Sequence, residues 1–116
     1  MIPERRRIRE DEAAVIRAAL ERAPVGTVND SARNDIENLE VIARCECGCA
    51  SVDFGSPAAE ARPSPIADGT ATRPSGGQIG VIVWGRSDAI TGLEIYGLGD
   101  GNDDLVLPIP ESIVPW

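Results

Sequence analysis

The chain has 116 residues, 42% of them apolar and 26% charged, and a net charge of −8. That length makes one domain (1–116) whose modest core needs no staples, and the acidic balance works against nucleic acid and anionic membranes as partners. No apolar run approaches the roughly 20 residues of a membrane span, and the N-terminus lacks a signal peptide's apolar segment, so the expected location is the cytoplasm.

The basic residues Arg5, Arg6, Arg7 and Arg9 are nearly neutralised by Glu4, Glu10, Asp11 and Glu12, so the opening block reads as solvated surface. A helix follows. Ala13, Ile16, Leu20 and Ala23 recur at helical spacing, and Val15 and Ala19 widen the stripe. The acids at its start and Arg22 at its end match the helix dipole, and Pro24 and Gly26 stop it. Residues 27–40 predict a second, shorter helix, capped by Asp30 or Ser31, with Ile36 and Leu39 turned inward.

The period then changes to two. Val41, Ala43, Cys45 and Cys47 fall on one face and Arg44 and Glu46 on the other, which predicts a half-buried strand. Beyond Gly48 the parity flips to Ala50, Val52 and Phe54, marking a bulge or a tight turn. With a turn at 46–48, Cys45 would face Cys49 across a hairpin at a spacing near that of a disulfide. Residues 55–64 read as loop. Residues 65–72 predict a weak edge strand, because Asp68 and Gly69 interrupt it. "QIGVIVWG" (78–85) is the most apolar strand, and "AITGLEIYG" (89–97) is its antiparallel partner. Prolines 108, 110 and 115 keep the tail extended across an edge or face. Phe54, Trp84, Tyr96 and Trp116 are the only aromatics, so the core should be aliphatic.

Strands following helices, without alternation, predict an α+β domain. One or two N-terminal helices (within about 8–39) should pack on a four- to five-stranded antiparallel meander (about 40–98), with an extended tail over 99–116. The run "RCECGCASVDF", the hairpin "GVIVWGRSDAITGLEIY" and the tail "LPIPESI" together resemble an uncharacterised family of short bacterial proteins. The resemblance spans residues 8–113 or so. It implies the architecture and carries over no activity, cofactor or catalytic residue.

Three kinds of chemistry deserve weighing. Cys45, Cys47 and Cys49 are the only cysteines, and an odd number rules out a fully paired framework. Three thiolates suit zinc or another thiophilic metal, but a structural zinc takes four protein ligands. With no histidine, only Asp53 or Glu46 is near enough to complete the set. Copper(I) or a subunit-bridging zinc remain open. The Cys-x-x-Cys spacing of redox motifs is absent, and buried cysteines often act simply as small hydrophobes.

The glycines at 97, 99 and 101 imitate a phosphate loop, but the acids at 100, 103 and 104 and the later prolines exclude one. Asp100, Asn102, Asp104 and Glu111 imitate a calcium loop, yet Leu105 occupies the position that needs glycine. Without histidine, no Ser-His or Cys-His nucleophile can form. An enzyme would need a concave pocket lined by Glu94 or Asp53. Leu93 and Ile95 should take the core side of their strand and leave Glu94 and Tyr96 on the other.

These readings favour a non-enzymatic protein-binding module with a basic partner, analogous to an immunity or inhibitor protein. The alternative is a thiolate metal or redox module at Cys45–Cys49. No cofactor is expected beyond such a metal.

Overall fold

In the computed structural model, which describes residues 2–23, 28–46, 49–55, 64–98 and 105–115, the N-terminal arginine block is a strand. This strand, β1 (Ile2–Arg7), precedes α1 (Glu10–Glu21), a short α2 (Asp30–Asn34) and one 3₁₀ turn over Ile36–Asn38. The strands β2 (Glu40–Arg44), β3 (Val52–Phe54), β4 (Ser64–Thr72), β5 (Gln78–Arg86), β6 (Ala89–Gly97) and β7 (Val114–Pro115) follow. Among the described residues they form one antiparallel sheet of seven strands, ordered β1-β2-β3-β6-β5-β4-β7. The α+β class is as expected. The sheet is wider than the predicted four or five strands because both chain ends add an edge.

The missed strand β1 has a physical reason. Its inward positions are Ile2, Glu4 and Arg6, so it lacks the apolar alternation that announces a strand. Ion pairs meet the cost of turning those charges inward. Arg6 Nη1 and Nη2 each donate to one oxygen of Glu12 at 2.8 Å, and Arg6 Nε donates to Glu4 at 2.8 Å. Glu12 is only 1% exposed. It also accepts from the Arg9 backbone N–H at 2.9 Å, half of a capping box at the start of α1. The arginine block is therefore not simply solvated surface, because Arg6 pins the edge strand to the helix.

The predicted stripe of α1 is buried: Ala13, Val15, Ile16, Ala19 and Leu20 face the sheet. Arg22 closes the helix by donating from Nη1 to the Ala18 carbonyl at 2.9 Å, and the expected stop at Pro24 and Gly26 lies outside the described residues. The second helix is capped by Asn29, whose side chain accepts from the Ala32 N–H at 2.9 Å, rather than by Asp30 or Ser31.

The core is aliphatic as composition required. Ile79, Val81 and Val83 of β5, Leu93 and Ile95 of β6, and Val41 and Val52 share one buried cluster with the α1 stripe, and among the described residues Phe54 is its one aromatic. Core-facing β-branched residues on neighbouring strands suit the pleated surface.

The segment predicted as a weak edge strand is the full-length β4, paired to β5 along nine residues' length and to β7 at Gly69 and Thr70. Gly69 is what admits β7, because a Cβ there would collide with the Val114 carbonyl. The tail also makes a 3₁₀ turn at Pro110–Ser112, and Ile109 N–H donates to the Thr72 carbonyl at 2.9 Å. No helix of the described residues is long and apolar enough to cross a membrane.

Candidate binding groove on the open face

Helix α1 covers one face of the sheet. On the opposite face, alternate residues of β5 and β6 point away from the core, and the cross-strand register lines them up. Trp84 lies opposite Gly92, Ile82 opposite Glu94, and Gly80 opposite Tyr96. On the other side of β6, Asp53 of β3 is also opposite Gly92. Asp53, Gly92 and Trp84 thus form one row across three strands.

These residues line a groove of about 660 Å³. Its walls include Trp84, Tyr96, Asp53 and Glu94, with Ile42, Cys45, Cys49 and Leu105 toward one end. Cys45, Cys49, Asp53 and Glu94 therefore converge on one concavity, Glu46 does not line it, and Cys47 lies outside the described residues. The concave pocket that an enzyme would require is present, and its walls carry both carboxylates.

The face of Cys45 differs from expectation. A register shift between Val41 and Ala43 breaks the alternation of β2. Val41 stays in the core while Ile42 and Cys45 line the groove, so Cys45 does not share the Val41 face. This irregularity lies within β2 itself, and the turn expected around Gly48 falls outside the described residues. Cys45 N–H donates to the Ser51 carbonyl at 3.1 Å. Ser51, and not Cys49, is therefore the hairpin neighbour of Cys45. Cys45 and Cys49 are both half-buried. Among the described residues, no three Cys, Asp or Glu side chains are grouped to hold a metal ion.

Two features shape the groove floor. Tyr96 lies flat over Gly80, where any Cβ would run into its ring. At Gly92 a Cβ would sit 3.3 Å from Asp53 Oδ1 and 3.6 Å from Trp84 Cβ. The Val52 carbonyl oxygen lies 3.5 Å from the same point. The small residues in this strand pair are places where something approaches the backbone.

The electrostatics are one-sided. No described lining residue is basic, and none of the ion pairs among described residues uses Asp53 or Glu94. Trp84 Nε1–H donates to Glu94 Oε1 at 3.3 Å, which steadies both side chains. Desolvation against the groove wall pushes the Asp53 carboxyl above its ordinary value. A second hollow of about 650 Å³ beside β1 contrasts with this, for Glu4, Arg6, Arg9, Asp11, Glu12 and Arg44 line it and pair with one another. Its charges pair with one another, whereas in the groove Glu94 is held by the Trp84 indole and the chain's own N-terminal amine offsets part of the rise at Asp53.

Ser51 is a residue that sequence reasoning missed. Its Oγ accepts from the Ile95 N–H at 2.9 Å and donates to the Ile95 carbonyl at 3.3 Å. It thereby continues the β3–β6 ladder beyond the three residues of β3. Ser51→Ala removes both bonds and leaves part-buried backbone groups unpaired, which should cost about 1–2 kcal/mol. Urea denaturation of the variant measures this, and loss should appear in the midpoint with an unchanged slope.

Comparison with protein-family models, with curated proteins and with solved structures finds no match to this chain.

Proposed function

We propose that this protein is a non-enzymatic binding module of the cytoplasm that takes a basic segment of a partner protein in the groove on the open face of its sheet. The observation that carries the reading is the groove's composition. Two carboxylates and two half-buried aromatics line it, with no basic residue among its described walls. Aromatic faces and carboxylates both attract cations. The chain's net charge of −8 adds long-range attraction for a basic surface and speeds encounter. Asp53, Trp84, Glu94 and Tyr96 lie on strands, so this part of the wall is held in place by the sheet.

A property of the sequence makes the test clean. All eleven basic residues are arginine, so the chain offers no lysine. Carbodiimide coupling can then join its carboxylates only to its own N-terminus or to a partner's amines. Applied to the protein in extract of its source cells, coupling should join Asp53 or Glu94 to lysines of one basic protein, and high salt should suppress it. Coupling confined to acids of α1 or β1 overturns the reading.

A thiol-centred function is the second reading, and the shared position of Cys45 and Cys49 on the groove supports it. In that case replacing all three cysteines by serine abolishes the protein's activity and its uptake of zinc. If binding of the basic partner survives the triple replacement, the groove reading stands alone.

A further inference from the structure

We propose that the partner's basic segment is anchored at two points, one cationic side chain on Glu94 and a second on Asp68, with the chain between them lying over Ile82. This rests on the groove reading above and adds the partner's second charge. Asp68 of β4 is directly opposite Ile82 of β5, and Ile82 is directly opposite Glu94 of β6. Residues directly opposite one another in an antiparallel sheet share a face, so the three form one row across the open face. Burial along β4 agrees. Asp68 is exposed, whereas Ala67 and Ala71, of the other parity, belong to the core. At the usual strand spacing the two ends of the row are about 10 Å apart. Asp68 and Ile82 lie beyond the groove wall, so the row extends the acidic surface toward β4.

The row is acidic at both ends and apolar between. On β5 the same face carries Gly80 before Ile82 and Trp84 after it, and the Tyr96 ring lies over Gly80, so an aromatic stands on each side. Among the described residues no ion pair uses Asp68 or Glu94. The Trp84 indole N–H takes only Oε1 of Glu94, at 3.3 Å, and steadies the carboxylate with Oε2 left for a donor. The strands β4, β5 and β6 carry one basic residue between them, Arg86 at the end of β5, and it lies 3.9 Å from Asp88. Two cations of one segment therefore meet no competing charge on the row. Once Glu94 holds the first, the second reaches Asp68 as an intramolecular event, which adds affinity. A polyproline-type chain brings residues i and i+3 to the same side about 9 Å apart, which matches the row.

The test titrates two capped peptides, Gly-Arg-Pro-Pro-Arg-Gly and Gly-Arg-Pro-Pro-Gln-Gly, into the full chain and reads dissociation constants from its amide shifts. The two-arginine peptide should bind about fivefold more tightly, the size of one exposed charge contact. Asp68→Asn should remove that advantage and leave the one-arginine peptide unchanged. Glu94→Gln should weaken both peptides about tenfold. Glu21→Gln makes the same change in net charge at the end of α1 and should alter neither. Asp68→Asn behaving like Glu21→Gln, while Glu94→Gln still weakens both peptides, would overturn the second anchor and leave the groove reading in place. A linear octanediamine binding as tightly as the two-arginine peptide would give the row to a free polyamine and overturn a protein segment there. No binding of either peptide overturns both readings.

Discussion

Glu12→Ala should lower the folding stability by about 3 kcal/mol, the largest effect of any single carboxylate among the described residues. Glu12 is 1% exposed and receives three charge-assisted or backbone hydrogen bonds, two from Arg6 and one from the Arg9 N–H. Its burial taken alone would raise the carboxyl's pKa, but those donors outweigh it and hold the group below its ordinary 4.5. Removing the carboxylate leaves Arg6 turned inward without its main counter-charge, and it unties β1 from α1. Arg6 is itself part-exposed, with 27% of its side chain accessible. Water can therefore reach the orphaned guanidinium, which keeps the estimate at the lower end of buried-pair losses.

The same linkage fixes the sign of the pH effect. The folded-state pKa is depressed, so the unfolded chain binds the proton more readily. The stabilisation is complete above the unfolded value near 4.5 and disappears as the pH falls through the folded value. In Glu12→Gln that acid limb should be absent, and the variant's stability should change less between neutral and acidic pH than the parent's. Urea melts of both proteins across this range test it. An unchanged acid limb in Glu12→Gln would place the protective carboxylate elsewhere.

The second large effect concerns the groove. The pair of changes Asp53→Asn and Glu94→Gln should weaken binding of the basic partner by about 100-fold. That is the sum of two lost charge-assisted contacts of about 1.5 kcal/mol each. The fold should tolerate the change, and the Asp53 substitution should cost no stability. Asp53 has its carboxyl raised by desolvation, which is the reverse of Glu12. A group with a raised folded-state pKa costs stability when it is ionised at neutral pH and returns it as the pH falls. Asp53→Asn should therefore be as stable as the parent or slightly more so at neutral pH, while it binds less well. Such a trade is what a charge kept for recognition would produce. Calorimetric titration with the partner, together with urea melts, separates the two effects. A fall in stability that accompanies the fall in affinity would mean Asp53 and Glu94 act structurally.

Much of this organisation can be traced to local pattern. The stripe of α1, the apolar β5 and the alternation of β6 follow from hydrophobic period alone, since each buries one apolar face. Glu94 and Tyr96 fall opposite Leu93 and Ile95 for the same reason. What the pattern conceals depends on pairing between distant residues. β1 turns charges inward, and those charges make sense only once Glu12 is beside them. β7 exists because Gly69 lets the tail's backbone approach β4. The bulge in β2 moves Cys45 onto the groove face, and nothing in the residues 41–45 themselves marks that shift. The candidate site was partly visible, in that Asp53 and Glu94 were recognisable as carboxylates on half-exposed strands. Their meeting with Trp84 across Gly92 is a product of sheet order, β3 beside β6 beside β5, which local sequence does not encode. The acidic loop 99–104, weighed as a phosphate or calcium loop, lies outside the described residues.

The most direct test of the central claim, that the open face of the sheet is the working surface, is amide chemical-shift mapping. The isotopically labelled protein would be titrated with a short arginine-rich peptide. The account predicts shifts concentrated at Asp53, Gly92, Glu94 and their strand neighbours, together with the Trp84 indole N–H, and quiet resonances along α1. Shifts confined to the acidic start of α1 at Glu10 and Asp11, with the groove unmoved, would contradict it.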